Sequence, residues 1–316
     1  MRKRVLITGV AGFIGSNLAT MLIEKGHEIL GIDNLSSGTF ENIDPRVKFF
    51  ETDIRQQFIQ PIFKDIDVVF HLAAKNCLND CHNHPIETAE INVQGTLNVL
   101  ECARAERVKK FIYADTSAEY EGVTEFPSRT NQTAPRSVYA TSKAGGASFC
   151  QAYARWFGLN VTILRYFNVY GPAQDWRRVV PPVMSSFIMK MLKGERPLIY
   201  GTGEKKRDFI YVDDVNRFHL LVMNEQHPSG GIFNVGSGTN YSIREIFEML
   251  EKILKTGLAP IYEKDLPSEA ELTLADITES KKLGWTPRIS IEEGLQKSIA
   301  YIQNKVFHES STPRRG

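Results

Sequence analysis

Apolar and polar residues alternate along the first half of the chain in two different rhythms. Short apolar runs are typical of buried strands, and between them apolar residues recur every three to four positions, as on one face of a helix. The predicted strands cover residues 5–8, 28–32, 47–50, 68–72, 110–114 and 161–165, and the predicted helices cover residues 13–22, 92–105 and 139–157. Strands that are apolar throughout and separated by helices predict an α/β fold with a doubly wound parallel sheet, covered on both faces. Such a sheet binds ligands beyond the carboxyl ends of its strands.

The rhythm changes after Tyr170-Gly171-Pro172. Prolines, short helices and hairpin-like stretches prevail to about residue 205, and strand and helix signals return at 207–237. This pattern predicts a sheet domain of residues 1–170 and 207–237, with a smaller, discontinuous α/β domain of residues 171–206 and 238–307 for the substrate. Residues 308–316 are expected to be a disordered tail.

Composition argues against several classes of function. The 316 residues include 38 Lys and Arg against 37 Asp and Glu, so no overall field attracts nucleic acid or an anionic membrane. No run approaches the roughly 18 apolar residues that cross a bilayer, and no secretory signal is recognisable. The 4 cysteines are too few and too scattered for a disulfide framework. We therefore expect a cytoplasmic protein that has neither nucleic acid nor a membrane as a partner.

Three glycines stand between the first predicted strand and the first predicted helix. Gly9, Gly12 and Gly15 have the spacing that a dinucleotide requires: a tight turn, a close approach of backbone to pyrophosphate, and close packing of helix on strand. The helix N-terminus offers free N–H groups to the phosphates. Asp33 ends the second strand, where a carboxylate binds ribose hydroxyls and repels a 2′-phosphate. Together with Asp53 after the third strand, this order predicts an NAD site.

A tyrosine and a lysine share one face of the predicted helix 139–157. Tyr139 and Lys143 are four residues apart, which places the phenol beside the ammonium group. The neighbouring ammonium group and the positive nicotinamide stabilise phenolate, so we expect a lowered tyrosine pKa and a base near neutral pH. A hydroxyl at the end of the preceding strand, from Thr116 or Ser117, completes the arrangement. These residues predict the removal of a proton from a substrate hydroxyl as hydride leaves the carbon.

With these motifs, the sequence resembles the extended short-chain dehydrogenase/reductase family, and within it the nucleotide-sugar epimerases and dehydratases. It is most similar to UDP-glucose 4-epimerases, and the resemblance runs from about residue 4 to residue 301. The motifs that carry it are GVAGFIGS (9–16), DNLSSG (33–38), HLAA (71–74), NVQGTLNVLE (92–101), YATSK (139–143), RYFNVYGP (165–172), KRDFIYVDDV (206–215), FNVGSG (233–238) and LGWTPRISIEEGL (283–295). The resemblance implies a Rossmann domain, NAD, and a nucleotide-sugar substrate, most often a UDP-sugar.

The resemblance also implies residue roles. Tyr139 would be the base, Lys143 would hold the nicotinamide ribose, and the hydroxyl residue would bind the reacting sugar oxygen. In such epimerases hydride passes from the sugar's 4-carbon to NAD, and the 4-keto sugar turns over before hydride returns. The implied cofactor contacts are Gly9, Gly12, Phe13, Ile14, Gly15, Asp33, Asn34, Ser36, Ser37, Gly38, Asp53, Ile54, Leu72, Ala73, Ala74, Lys75, Asn92, Tyr139, Lys143 and Tyr166. The implied substrate contacts are Lys75, Asn168, Val180, Tyr200, Arg207 and Glu269. Family members commonly form homodimers through helices that correspond to 92–105 and 139–157.

The chain departs from the family pattern after the fifth strand. Counting from the strand selects Thr116 as the catalytic hydroxyl, whereas counting back from Gly122 selects Ser117, so both remain candidates. Glu119 stands where simple epimerases carry an uncharged residue. It could act as the acid/base of a 4,6-dehydratase or of a multi-step epimerase, which is the alternative function. A regulator that binds NAD without catalysis is disfavoured, because it would need neither Tyr139 nor Lys143. A decarboxylase is disfavoured because no glucuronate pocket is recognisable.

Two further segments depart from the pattern. Residues 75–84 contain Cys77, Cys81, His82 and His84, but no second pair of ligands accompanies them, so they predict a loop that shapes the substrate site and no metal site. An expected phosphate-binding arginine is missing near Glu269, and Arg177 or Arg178 could replace it.

Overall fold

Twelve strands are present in the part of the chain that the computed structural model describes, namely residues 2–177, 181–224, 229–265 and 270–311. They are β1 (Arg4–Thr8), β2 (Glu28–Asp33), β3 (Lys48–Glu51), β4 (Val68–His71), β5 (Lys110–Thr116), β6 (Val161–Tyr166), β7 (Asn168–Tyr170), β8 (Leu198–Tyr200), β9 (Lys206–Tyr211), β10 (Gly231–Val235), β11 (Asn240–Ser242) and β12 (Ile261–Glu263). Seven of them form a parallel sheet in the order β10-β6-β5-β4-β1-β2-β3. The order reverses between β1 and β4, which confirms the doubly wound sheet.

The α-helices in these residues are α1 (Phe13–Glu24), α2 (Leu78–Asn83), α3 (Pro85–Ala89), α4 (Thr96–Ala105), α5 (Val138–Phe157), α6 (Val183–Leu192), α7 (Val212–Asn224), α8 (Ile243–Leu254), α9 (Thr278–Lys282) and α10 (Ile291–Ser311). The residues on the two faces of the large sheet are buried against different helices. One apolar cluster joins the sheet to α1 and α7, and a second joins it to α4 and α5. No helix among the described residues is both long enough and apolar enough to span a membrane.

The helix predicted at 92–105 has a different shape from the one its pattern indicates. A π-helical segment, Glu90–Gly95, precedes α4 and follows α3 directly. Gly95 lies on Ile54 so closely that a Cβ would be 2.7 Å from the Ile54 Cδ1. Periodicity alone predicts a regular helix, because a single wide turn changes the spacing of only a few residues.

Two smaller sheets lie outside the seven-stranded one. In the first, β9 pairs in parallel with β7 and antiparallel with β11, and in the second β8 pairs with β12. A third apolar cluster joins these strands to α6, α8 and α10, around Phe187, Ile246 and Leu295. The smaller α/β part is thus built from segments that are distant in sequence.

Candidate active site

The turn between β1 and α1 is shaped by close approaches of backbone. Gly9 has a φ of +76°, and a Cβ there would lie 2.8 Å from the Ala73 nitrogen. A Cβ on Gly15 would lie 2.2 Å from the Gly9 carbonyl oxygen, so only glycine lets α1 pack on the turn. Gly12 is the N-cap of α1 and provides no side-chain cap, which leaves the first N–H groups of the helix available. The turn therefore has the geometry of an anion site at a helix N-terminus.

A small cavity lies directly against this turn. Gly12 and Phe13 line one side, with Ser37 and Thr39 from the segment after β2. Its far side is formed by residues 173–177 and by Tyr301 and Lys305 of α10. Arg177 is therefore placed beside the glycine turn, and Arg178, the other candidate for a substrate clamp, lies outside the described residues.

Asp33 connects the end of β2 to the glycine turn. Its carboxylate accepts hydrogen bonds from the Ala11 nitrogen at 3.0 Å and from the Leu35 nitrogen at 2.9 Å. Burial raises its pKa, which these backbone donors oppose. Asn34 donates to Asp53 at 2.8 Å, so the ends of β2 and β3 are also joined. Each carboxylate oxygen has a second lone pair, so Asp33 can still accept from ribose hydroxyls, and its place fits a dinucleotide.

His71 fixes the turn between β1 and α1 through hydrogen bonds. Its position in the sequence did not indicate this role. Its two ring nitrogens lie 2.7 Å from the Thr8 hydroxyl and 2.9 Å from the Thr96 hydroxyl. The Thr8 hydroxyl in turn accepts from the Ala73 nitrogen at 3.2 Å. Burial, and then the charge of Lys143, lower the pKa of His71 to about 3. The imidazole is therefore neutral at physiological pH and fixes the turn through hydrogen bonds.

Tyr139 and Thr116 meet at the carboxyl end of β5. The N-cap of α5 is Ser137, whose hydroxyl accepts from the Ala140 nitrogen at 3.1 Å and so fixes the first turn of the helix. The Thr116 side chain is close enough to Tyr139 to act on its phenol as a hydrogen-bond donor, which favours a lower pKa of Tyr139. Of the two candidate hydroxyls, it is thus Thr116 that the fold brings to Tyr139, since Ser117 begins the following 3-10 helix (Ser117–Tyr120).

The pKa of Tyr139 is raised in the chain without a nicotinamide, so the expected lowering, which includes the charge of that ring, stays a prediction. Burial raises this pKa to about 12, although the hydrogen bond from Thr116 opposes the change and the charge of Asp115 adds to it. Desolvation depends on the whole fold and cannot be derived from helical spacing. A positive charge close to the phenol would act in the opposite direction and lower this pKa.

Lys143 lies one helical turn further along α5 and is buried. Its Nζ lies 4.1 Å from the centre of the Tyr113 ring, and the Tyr113 hydroxyl donates to the Lys143 carbonyl at 3.1 Å. Burial lowers the pKa of Lys143 to about 8, against the charge of Asp115, which raises it. The ring and the carboxylate together keep a cation in a place where desolvation disfavours it.

Glu119 faces an arginine that sequence reasoning did not single out. Arg165, on β6, lies 2.7 Å from a Glu119 oxygen and 2.8 Å from Asp115. All three side chains are buried. Burial, and then the charge of Asp115, raise the pKa of Glu119 to about 8. The carboxyl group is thus engaged with Arg165 next to Lys143.

The π-helical segment brings Asn92 to the segment after β4. Its side-chain amide accepts from the Lys75 nitrogen at 2.8 Å and donates to the Lys75 carbonyl at 2.9 Å and to the Ser142 hydroxyl at 2.9 Å. The Lys75 ammonium pairs with Glu87. Asn92 therefore holds the main chain at Lys75 beside the start of α5.

Cys81 is buried with its thiol toward the Lys75 carbonyl, and no group of three metal-ligating side chains occurs in the described parts of the chain.

The predicted substrate residues are distributed over the smaller sheets. Asn168, at the start of β7, donates to the Asp208 carbonyl at 3.2 Å, and Arg207 is buried on β9. Tyr200 ends β8 and is partly exposed. Val180 and Glu269 lie outside the described residues. The Tyr166 hydroxyl, predicted to face the cofactor, lies 2.6 Å from buried His219.

Comparison with known proteins gives one consistent result. Residues 5–236 match the model of the NAD dependent epimerase/dehydratase family. A UDP-glucose 4-epimerase of Thermotoga maritima, solved with UDP-glucose, is 36% identical with a TM-score of 0.93, over 96% of this chain and 99% of that one. A UDP-glucuronate 4-epimerase of Thermodesulfobacterium geofontis is 34% identical, over 95% of this chain and 96% of its own. UDP-glucuronic acid decarboxylase 1 of Xenopus tropicalis is 31% identical, over 98% of this chain and 74% of its own.

Proposed function

The chain belongs to the NAD-dependent epimerase/dehydratase family of nucleotide-sugar enzymes, and from that premise we propose that it is a 4-epimerase of a UDP-hexose. The observation that carries the proposal is the contact between Tyr139 and Thr116 at the end of β5, one helical turn from Lys143. This arrangement suits proton removal from a sugar hydroxyl. The similarity to 4-epimerases that act on UDP-sugars supports the choice of substrate.

Cofactor binding and proton transfer fall to different residues. The glycine turn and the first N–H groups of α1 would bind the pyrophosphate of NAD, and Asp33 would accept from its ribose and disfavour a 2′-phosphate. When bound, NAD accepts hydride from the sugar carbon and later returns it. Tyr139 takes the hydroxyl proton and gives it back, while Thr116 holds the reacting oxygen. Lys143, whose pKa burial lowers to about 8, would bind the nicotinamide ribose and add a positive charge to this end of the site.

The proposed substrate contacts are Lys75, Asn168, Val180, Tyr200, Arg207 and Glu269. Arg207 would pair with a phosphate of the nucleotide, a charge-assisted contact that can be bidentate. Epimerisation is favoured over 4,6-dehydration because Glu119, the candidate acid/base for water loss, is bound by Arg165 at 2.7 Å. Dehydration needs a base that removes a proton from the carbon next to the 4-keto group. A carboxylate that is held in an ion pair with an arginine is a poor base for that step.

A second copy of the chain is the proposed protein partner. Phe149, Trp156 and Phe157 of α5 are 39%, 78% and 57% exposed, a concentration of aromatic surface that burial in a homodimer would remove from water. Light scattering of the purified protein tests this assignment.

Replacing Tyr139 by Phe tests the reaction. Tyr139→Phe removes the proton acceptor and keeps the ring, so turnover of UDP-glucose or UDP-galactose should fall by about 100-fold or more while NAD binding persists. Product formation is followed by NMR and mass, because an epimer has the mass of its substrate.

Tyr153→Phe is the matched control on the same helix, because its hydroxyl hydrogen-bonds only exposed Glu101 among the described contacts, at 3.0 Å. Its turnover should stay close to that of the unmodified protein. Undiminished turnover in Tyr139→Phe would exclude Tyr139 as the base. A product lighter by water or by carbon dioxide would replace epimerisation by dehydration or decarboxylation.

A further inference from the structure

Two buried carboxyl groups stand side by side where β5 ends. Asp115 is the penultimate residue of the strand, and Glu119 lies in the 3-10 helix that follows it. Their residues are 3% and 2% exposed, so water does not solvate the charges from most directions. Arg165 contacts both, through Nε to Asp115 and through a terminal nitrogen to Glu119. One guanidinium group therefore serves two acids.

One oxygen of each acid receives no donor from the described residues. These atoms are Asp115 Oδ1 and Glu119 Oε1, and both are inaccessible to water. An unsatisfied buried carboxylate oxygen is costly, and two of them together would add mutual repulsion. A single proton held between the two groups reduces both costs, because one carboxyl group then donates to the other, and Asp115 indeed acts on Glu119 through a side-chain hydrogen bond and through its charge. Aspartic proteases use this arrangement of two carboxyl groups with one proton.

The polar groups around the pair come from two further elements and from the 3-10 helix of Glu119 itself. Arg165 faces it from β6, Lys143 from α5, and the hydroxyl of Tyr120, in the 3-10 helix, accepts from Arg165 at 3.1 Å. Both acids act on Lys143 electrostatically and favour its charged form. With one proton shared, two cations face a single negative charge. When that proton leaves, the charges balance and Lys143 is held in its charged form more firmly.

We propose that Asp115 and Glu119 form a proton-sharing carboxyl pair on Arg165 that acts on the reaction through Lys143, as a counter-charge that increases with pH. Glu119 is then a positioning residue that does not touch the sugar. The pair itself follows from the buried geometry, whereas its effect on turnover rests on the proposed function. Glu119 and Arg165 also line an open cleft between α5 and residues 130–133, through which the proton can exchange with solvent.

Infrared spectroscopy of the protein without substrate tests the shared proton. The carbonyl stretch of a protonated carboxylic acid should be present at pH 6.5 and should disappear between pH 7 and pH 9, around the value of about 8 at which Glu119 titrates. Glu119→Gln should lack this band, and Glu125→Gln, at an exposed glutamate, should keep it. A spectrum of unmodified protein without the band at pH 6.5 overturns the pair whether or not any sugar is turned over.

The pH profile of turnover tests the action on Lys143. In Glu119→Gln the added negative charge never forms, so the alkaline limb of kcat should move down by about one pH unit, equivalent to roughly a tenfold loss at high pH. Turnover at pH 6.5 should change less than threefold. Asp115→Asn removes the standing charge and should lower turnover across the whole range. An equal loss at every pH in Glu119→Gln would indicate a structural role only, and an unchanged profile would refute the proposal.

Discussion

The carboxyl ends of β1 and β5 lie in one sheet but are built on opposite principles. At β1 the site consists of backbone, and glycines keep side chains out of contacts that leave no room for a Cβ. At β5 it consists of side chains whose charges depend on one another, with Lys143, Asp115, Glu119 and Arg165 all buried. The first end is sensitive to volume and the second to charge. A single added methyl group and a single removed proton should therefore have their largest effects at different ends.

Gly15→Ala should produce the largest effect. The new Cβ would lie 2.2 Å from the Gly9 oxygen, which is backbone and cannot rotate away. We expect NAD binding to be lost and the free energy of unfolding to fall by about 1–3 kcal/mol, as in overpacked sites. NAD titration and thermal unfolding measure both. Gly145→Ala is the control, because its Cβ would meet only Val93 Cγ2 at 3.4 Å. If both variants bind NAD equally, close packing does not define the β1 end.

Thr116→Val should produce an intermediate effect, confined to the β5 end. Valine keeps the shape and removes the hydroxyl that contacts Tyr139, so we expect about a 100-fold loss of turnover, comparable to the loss of one preorganised donor. NAD affinity should change little, and the melting temperature should fall by a few degrees, because the same hydroxyl caps the 3-10 helix and accepts from the Ala118 nitrogen at 3.1 Å. Ser117→Ala, one residue later at a partly buried position, should retain turnover within about twofold, because the hydroxyl that acts on Tyr139 is kept. The reverse ranking of the two variants would assign the hydroxyl role to Ser117.

Acidification should produce the smallest effect, and at the β1 end. His71 is neutral in the fold with a pKa of about 3, whereas in the unfolded chain it gains a proton near pH 6.5. The unfolded state therefore binds more protons in this window, and stability falls as pH falls from 6.5 toward 3. We expect a loss of about 1 kcal/mol from this group between pH 6.5 and pH 5.5, measured by urea unfolding. His71→Gln should show a shallower slope, and an identical slope would contradict the assignment.

The geometry of the β1 end could be predicted from the sequence because its requirements are local. Glycine spacing between a strand and a helix, and an acid at the end of the next strand, are fixed by a few consecutive residues. The doubly wound sheet could be predicted in the same way, since runs of apolar residues reflect burial on both faces. The strand bounds agree to within two residues, as at β1, where residues 5–8 were predicted and Arg4–Thr8 are observed.

The β5 end was harder to predict because its properties arise from contacts between distant residues. Tyr139 and Lys143 could be paired from helical spacing, but the rise in the Tyr139 pKa depends on burial by the whole fold. The partner of Glu119 lies 46 positions away, on a neighbouring strand. Asp115 and Arg165 are opposite each other in the paired strands β5 and β6. Their opposite charges near the ends of two predicted strands could have indicated this contact. Opposite charges at the ends of predicted neighbouring strands are thus worth testing as pairs.

The π-helical turn before α4 also affects how related chains are compared. One surplus residue in a helix rotates the residues on its N-terminal side by about 100° relative to those on its C-terminal side. The amide of Asn92 can therefore point toward Lys75 and Ser142 while the apolar stripe of α4 stays on the sheet. A relative that lost one residue here would keep a similar sequence on both sides but present a different side chain to the crevice. An alignment gap within Glu90–Gly95 would therefore indicate a changed site even where the catalytic residues are the same.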